Sequence, residues 1–215
     1  CGLSDKPQVY SYTLSQHIEN LETLLESRDV KKYSLMVHDW GGAIGFGCAV
    51  NNPLAIEKIV VMNTAAFRST KIPFRIQLCR VPLLGTIIVK LCNGFAWPAL
   101  FMAVEKKMPK EVQKAYLYPY NSWKNRIAVH RFVKDIPMTP DHESYDTLNR
   151  IEQQLEHIRD MNIPLLLLWG GRDFCFNTSF YDEWKRRFPE AESQYFSDGG
   201  HYILEDKWQE IVPFL

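Results

Sequence analysis

Apolar residues recur with two different periods in the first part of the chain. Over residues 13–27 they stand three and four positions apart, which predicts a helix, with Thr13 as its cap and Gln16 in the capping-box position. The period changes at residues 33–37, a short continuous apolar run. A second helix, built from small residues, is predicted over residues 43–50. This stretch therefore reads as helix, strand, sharp turn and helix.

Three further apolar runs follow, at residues 58–62, 165–169 and, more weakly, 193–196. They lack the polar alternation of a half-exposed strand, and helical patterns separate them. Such runs are typical of parallel strands that are buried on both faces, because helices cover both sides of the sheet. The predicted fold class is therefore α/β, with a parallel sheet and helices on both of its faces.

The connection across residues 64–162 is about a hundred residues long, far beyond an ordinary loop. It is rich in helix formers, aromatic residues and prolines. We interpret it as a helical cap inserted into a sheet domain made of residues 1–63 and 163–215. Its aromatic side chains, above all Phe67, Trp97 and Trp123, are candidates for lining an apolar substrate pocket.

Composition narrows the choice of partners. The 215 residues are 46% hydrophobic and carry 25 basic and 25 acidic side chains, a formal net charge of +0. No run of like charge predicts binding to nucleic acid or to an anionic membrane. No apolar run is long enough to span a bilayer, so we expect a cytoplasmic protein without a membrane span. Its five cysteines, odd in number and widely spaced, predict neither a disulfide framework nor a metal site, and no cofactor motif is present.

Asp39 is the first candidate for chemistry, because it stands between the predicted strand at 33–37 and the following helix. Gly41 and Gly42 supply the small side chains that a strained nucleophile-bearing turn requires. An aspartate at this place is also an ordinary helix cap. Both interpretations stay open on the local pattern alone.

Asp173 and His201 favour the catalytic interpretation. Each follows the carboxyl end of a predicted strand, the edge at which open parallel sheets bind ligands. Nucleophile, acid and histidine also occur along the chain in the order expected when an open α/β sheet carries a catalytic triad. An aspartate is ionised at neutral pH, so Asp39 needs no base in order to attack a saturated carbon.

Four segments together resemble haloalkane dehalogenases and their epoxide-hydrolase relatives over essentially the whole chain. The resemblance implies an α/β-hydrolase fold with Asp39 as nucleophile, His201 as base and Asp173 as the acid that orients it. It also implies that Trp40 binds the leaving halide or an oxyanion. The residues that follow the strand at 58–62, where some relatives carry the acid, include no carboxylate. The segments are Gly2-Leu3-Ser4-Asp5-Lys6-Pro7, Val37-His38-Asp39-Trp40-Gly41-Gly42, Trp169-Gly170-Gly171-Arg172-Asp173 and Gly200-His201.

Several activities fit this set of residues. The first expectation is hydrolysis of a carbon–halogen bond through an alkyl ester of Asp39, which a water activated by His201 resolves. Residues 120–137 resemble the cap of subfamilies that include β-lactone decarboxylases of olefin synthesis, the second alternative. An epoxide hydrolase is the third, and a noncatalytic ligand-binding protein that keeps the fold is the fourth.

The front of the chain departs from the pattern of the family. Relatives begin with several strands and a His-Gly-Asn-Pro loop that supplies a second oxyanion N–H, and the sequence contains no such loop. A strand at 33–37 without a neighbour on that side would expose an unpaired edge. We therefore expect a further segment or a second chain to complete the sheet there.

Overall fold

Four parallel strands form a single sheet in the order β1-β2-β3-β4, in a computed structural model that describes all 215 residues. Each strand contains one of the predicted apolar runs, so the α/β class and the parallel sheet are confirmed. The run at 193–196 is nevertheless largely exposed and not buried on both faces, because it forms an edge strand. The strands are β1 (Tyr33–Asp39), β2 (Ile56–Thr64), β3 (Leu165–Gly170) and β4 (Glu192–Phe196).

Nine α-helices accompany the sheet. They are α1 (Leu14–Ser27), α2 (Trp40–Asn51), α3 (Phe74–Arg80), α4 (Ala96–Met102), α5 (Lys110–Leu117), α6 (Ile127–Lys134), α7 (Tyr145–Asp160), α8 (Thr178–Arg187) and α9 (Ile203–Ile211). A π-helix, Thr86–Leu91, lies between α3 and α4. No helix combines the length and the apolar character that crossing a membrane requires.

Alternate residues of β2 and β3 fill two separate cores, one on each face of the sheet. Ile59 and Val61 belong to the larger core, with the inner faces of α1, α2, α7 and α8. Val60 and Met62 point to the other face, where the buried side of α9 covers them through Ile203. The expectation of helices on both faces is thereby confirmed.

Helix α1 begins as its sequence predicts. The Thr13 hydroxyl accepts a hydrogen bond from the Gln16 backbone N–H over 3.4 Å. The Gln16 side chain donates to Glu19 over 2.9 Å instead of reaching back to the cap, so only half of the capping box forms. Leu14 and Ile18 are the buried residues of this helix and pack into the larger core.

The predicted cap, residues 64–162, divides into two parts by packing. The stretch from α3 to α6 forms small hydrophobic clusters of its own, such as the one around Cys79, Val89 and Val133. Helix α7 instead inserts Ile151 and Leu155 into the larger core of the sheet domain. We therefore propose that the cap ends before α7. The apolar period of α7 is the same whichever body it packs against, which is why the sequence did not reveal this boundary.

The outer edge of β1 has no strand beside it, as β1 pairs only with β2. The segment or second chain expected to complete the sheet at this edge stays a prediction.

Candidate active site

Asp39 occupies a strained turn between β1 and α2. Its backbone has φ 51° and ψ −128°, a left-handed conformation that costs free energy in a residue other than glycine. The Thr64 hydroxyl at the end of β2 donates to the Asp39 carbonyl oxygen and holds the turn. The Asp39 side chain forms no capping bond to α2 and is 47% exposed, so the helix-cap interpretation is wrong.

The three predicted side chains meet at the carboxyl edge of the sheet. His201 Nδ1 lies 2.7 Å from Asp173 Oδ2, and His201 Nε2 lies 3.4 Å from Asp39 Oδ2. His201 and Asp173 are buried, whereas Asp39 is accessible. This arrangement places an imidazole between a buried carboxylate and an exposed one, as a nucleophile–histidine–acid triad requires.

Asp173 is fixed by hydrogen bonds to both of its carboxylate oxygens. Its Oδ1 accepts from the backbone N–H groups of Cys175 at 2.6 Å and Phe176 at 3.1 Å. Its Oδ2 accepts from Asn63 Nδ2 at 3.0 Å as well as from His201. A carboxylate with this many donors keeps one orientation toward the histidine.

Asn63 belongs to the candidate site and was missed by the sequence analysis. It is fully buried at the end of β2, with φ 32°. Besides donating to Asp173, it exchanges two bonds with Gly170 on β3: Gly170 N–H donates to Asn63 Oδ1 at 2.8 Å, and Nδ2 donates to the Gly170 carbonyl at 3.0 Å. The available signal was a polar side chain that ends a buried strand beside the acid, where only the lack of a carboxylate had been considered.

Two further contacts, also missed, hold the backbone that carries His201. His38 Nε2 lies 2.8 Å from the His201 carbonyl oxygen, and the two rings are 4.5 Å apart. Burial, followed by the charge of His201, lowers the pKa of His38, so its neutral ring donates to that carbonyl. On the other side, the Asp206 carboxylate accepts from Gly200 N–H at 2.7 Å and from Glu105 N–H at 3.0 Å.

Opposite charges face each other in the free site. Burial alone would lower the pKa of His201, but its hydrogen bonds to Asp173 and Asp39 raise it to about 10. Burial alone would raise the pKa of Asp39, but the hydrogen bond and charge of His201 lower it below its ordinary value. At neutral pH the site therefore holds an aspartate anion beside an imidazolium.

Trp40 is half buried directly after Asp39, and its ring packs edge-on against Phe132 with centroids 5.5 Å apart. Its indole N–H forms no hydrogen bond with another protein group. Packing therefore accounts for part of the ring but not for its N–H. Its role in binding a halide or oxyanion stays a prediction.

None of the three cap aromatics named as pocket candidates has its ring in contact with that of His201. Phe67 is buried in the larger core against Phe180 and Trp184, so packing explains it. The aromatic rings in contact with His201 are instead those of His38, Phe176 and Tyr202. The other two candidates, Trp97 and Trp123, are exposed on the cap.

Comparison with known proteins agrees with the fold. Residues 1–207 match a family model described as the alpha/beta hydrolase fold. The chain is 42% identical to a cis-3-alkyl-4-alkyloxetan-2-one decarboxylase of Shewanella oneidensis, in an alignment of 100% of the chain with 69% of that protein. It is 38% identical to a protein of the same name from Xanthomonas campestris, covering 99% of the chain and 74% of that protein.

More distant relatives include haloalkane dehalogenases. One from Mycobacterium bovis is 26% identical over 98% of the chain and 69% of its own length. A solved haloalkane dehalogenase from Bradyrhizobium elkani superposes with a TM-score of 0.84 at 20% identity, covering 98% of the chain and 74% of that structure, and shares the fold. These matches confirm the resemblance to both groups. The chain belongs to the α/β-hydrolase fold family.

Proposed function

We propose that this protein opens a cis-3,4-dialkyl β-lactone with the Asp39 carboxylate and releases an alkene and carbon dioxide. The main support is its 42% and 38% identity to two decarboxylases named for that ring, against 26% to a haloalkane dehalogenase. This order reverses the one expected from the sequence patterns, which put carbon–halogen hydrolysis first.

The first step needs only an ionised and accessible Asp39. One carboxylate oxygen attacks C4, the alkyl-bearing ring carbon bonded to the ring oxygen. The C4–O bond breaks, and its electron pair remains on the former ring oxygen, which becomes part of a free carboxylate. Asp39 is then an alkyl ester, and no proton has moved.

The second step consumes no water. The bond between C3 and the free carboxylate breaks, carbon dioxide leaves, and the electron pair forms the C3–C4 double bond. The C4–O bond to Asp39 breaks at the same time and returns its pair to the carboxylate. The His201 imidazolium, 3.4 Å from Asp39 Oδ2, stabilises this departing charge. Inversion at C4 and departure of the two groups from opposite sides keep both alkyl chains on one side, so a cis lactone gives a cis alkene.

Hydrolysis of a haloalkane is the second candidate, because Trp40 directly follows Asp39 and its indole N–H has no protein acceptor. In that reaction His201 must lose its proton before it can activate water. Alkylation of Asp39 favours this loss, since it removes one of the two carboxylate charges that raise the pKa of His201. The same residues therefore serve both reactions, and the fate of the Asp39 ester distinguishes them.

Isotope labelling in ¹⁸O-water separates the two candidates. After many turnovers with a dialkyl β-lactone, we expect a cis alkene and an Asp39 peptide of unchanged mass. Hydrolysis of an ester would instead place a water oxygen in the Asp39 carboxyl group, which mass spectrometry of the peptide detects. An Asp39→Ala variant, checked by thermal unfolding for an intact fold, should form no alkene.

A bromoalkane probe tests the nucleophile independently of the lactone. With His201→Ala we expect an adduct on Asp39 by intact mass, because the base that resolves the ester is gone. If the lactone yields no alkene and the probe yields no adduct, the proposal is overturned in favour of a noncatalytic ligand-binding protein.

A further inference from the structure

Residues 74–102, the apolar cap segment, display large hydrophobic side chains on the surface. Eight of the chain's 24 exposed large hydrophobic residues lie in these 29 positions. Monomeric proteins rarely leave contiguous apolar surface uncovered, and such surface marks an interaction site. The eight residues are Phe74, Val81, Leu83, Leu84, Ile87, Leu91, Trp97 and Phe101.

Leu83 shows that this exposure does not serve the fold. Its backbone is left-handed, with φ 62°, a conformation that glycine or asparagine adopts at lower cost than leucine. Its side chain is 80% exposed, so burial does not offset that cost. A leucine in such a turn stabilises the protein less than a smaller or polar residue would, which points to a role outside the fold.

The charge of the cap is strongly positive although the whole chain is neutral. Residues 64–144 contain 13 Lys and Arg against five Asp and Glu, a formal +8, which the remaining residues balance. The apolar cap segment itself contains three basic residues and no acidic one. Our expectation that no anionic surface would bind this chain rested on the neutral whole-chain sum and on the lack of a run of like charge, and neither criterion detects this asymmetry.

Basic side chains lie beside the apolar ones. Arg75 is exposed next to Phe74 and contacts Met102 at the end of α4. Helix α5 packs against α4 through the cluster of Leu100 and Met108, and it brings further lysines to the same part of the cap. Between Phe74 and Lys124 the exposed basic residues outnumber the two exposed acidic ones, Glu105 and Glu111; they are Arg75, Lys106, Lys107, Lys110, Lys114 and Lys124.

We propose that the apolar cap segment docks onto the surface of an anionic lipid bilayer, without crossing it. Aromatic and aliphatic side chains enter the boundary between headgroups and acyl chains, and neighbouring Lys and Arg side chains contact anionic headgroups. Nucleic acid would satisfy the charge but leave the leucines exposed. A symmetric pair of chains would bury the leucines but bring two caps of formal +8 together, which repel. The inference goes beyond the proposed reaction and holds for any substrate of the site.

Vesicle co-sedimentation of the purified protein tests this docking without any substrate. We expect binding to vesicles of phosphatidylcholine mixed with phosphatidylglycerol, weaker binding at high salt, and little binding to phosphatidylcholine alone. Leu83→Asn should lower the partition coefficient about tenfold, because it removes one inserted aliphatic side chain. Since asparagine tolerates a left-handed backbone, thermal unfolding of this variant should match or exceed that of the parent protein.

Leu54→Asn is the matched control. Leu54 is 79% exposed in the sheet domain, against 80% for Leu83 in the cap, so both changes replace a leucine of nearly equal exposure. Leu54→Asn should leave vesicle binding unchanged. Absence of binding to the anionic vesicles, or an equal loss in both variants, would overturn the proposal. It would also be overturned by a dimer in sedimentation velocity that Leu83→Asn dissociates, since a second copy would then occupy the segment.

Discussion

The side-chain amide of Asn63 donates to Asp173 Oδ2 over 3.0 Å, the same oxygen that accepts from His201 Nδ1. Asn63 touches neither His201 nor Asp39, so it acts on them as a positioning residue through Asp173. Replacing it should remove one of the four hydrogen bonds that orient Asp173 and should leave the buried Gly170 N–H unpaired. For Asn63→Ala we expect a rate about tenfold to a hundredfold lower and a free energy of unfolding about 1–3 kcal/mol lower.

Asn63→Gly separates the amide from the backbone. Glycine accepts the left-handed φ of 32° without strain but offers no side-chain donor. Single-turnover rates should therefore fall in both variants. Urea unfolding should show a smaller loss of stability in the glycine variant than in the alanine variant, because only alanine is strained at this φ. A parental rate in Asn63→Gly would show that the amide does not position Asp173.

The triad residues were predictable because they follow the ends of strands. Parallel strands place their carboxyl ends at one edge, so Asp39, Asp173 and His201 meet whatever the details of packing. Asn63 and His38 were not predictable in the same way. Their roles depend on which atom each side chain contacts across the sheet, the Asp173 carboxylate in one case and the His201 carbonyl in the other, and sequence spacing carries no such information.

The cap shows the same limit. Its helices were predicted from composition and length, but an amphipathic period does not show whether a helix packs against the cap or against the sheet domain. Helix α7 therefore looked like part of the cap although its apolar face fills the larger core. Phe67 looked like a pocket residue for the same reason, whereas Phe180 and Trp184 of α8 enclose it.

His201 should make stability depend on pH in the alkaline range. Its pKa is about 10 in the folded protein, above the ordinary 6.5, because two carboxylates accept hydrogen bonds from it. The stability that protonated His201 contributes is therefore fully present below about pH 6.5 and is lost as the pH rises toward 10. From urea unfolding at pH 7 and pH 10, we expect the stability difference between the parent and His201→Asn to shrink by a few kcal/mol, on the order expected for such a shift.

Lysine and tyrosine titration affects parent and variant alike at pH 10, so the difference between the two proteins isolates His201. His157 on α7 is exposed and supplies the control. The stability difference between the parent and His157→Asn should be the same at both pH values. A His201→Asn difference that is equally independent of pH would contradict the ion-paired site.

Tyr202 lies beside His201, with ring centroids 5.5 Å apart. Burial and then the Asp39 charge raise its pKa to about 12, so it remains a donor at neutral pH. Its hydroxyl forms no hydrogen bond with the protein, which leaves it free to bind the carboxylate that a ring-opened lactone develops. We expect Tyr202→Phe to lower kcat for the lactone about tenfold or more, measured as alkene formed per unit time.

Tyr116 offers a matched control for that change. It stacks on Tyr202 with centroids 5.1 Å apart, but its own hydroxyl already donates to Glu205 over 2.8 Å. Tyr116→Phe should change kcat little. Equal losses in the two variants would indicate a packing role for the Tyr116–Tyr202 pair, and no loss in Tyr202→Phe would remove the phenol from the reaction.

Gly42 should be indispensable to the Asp39 turn, whereas Gly41 should not. A Cβ on Gly42 would clash with its neighbours: it would lie 2.8 Å from Thr64 Cγ2 and 3.0 Å from the Ala65 carbonyl oxygen. Thr64 would have to move, releasing the Asp39 carbonyl that it binds. A Cβ on Gly41 meets only Val37 Cβ at an ordinary 3.9 Å. In thermal unfolding we expect a loss of about 2–4 kcal/mol for Gly42→Ala.

Gly41→Ala should instead be neutral or stabilising by up to about 1 kcal/mol, because alanine is the better helix former in the first turn of α2. The rate of alkene formation should follow the same order, since only the Gly42 change displaces Thr64, which holds the Asp39 turn. If both alanine variants unfold and react alike, close packing of α2 against the end of β2 does not hold Asp39 in its left-handed turn. The strain at Asp39 would then have to be maintained by α2 and β1 themselves, without Thr64.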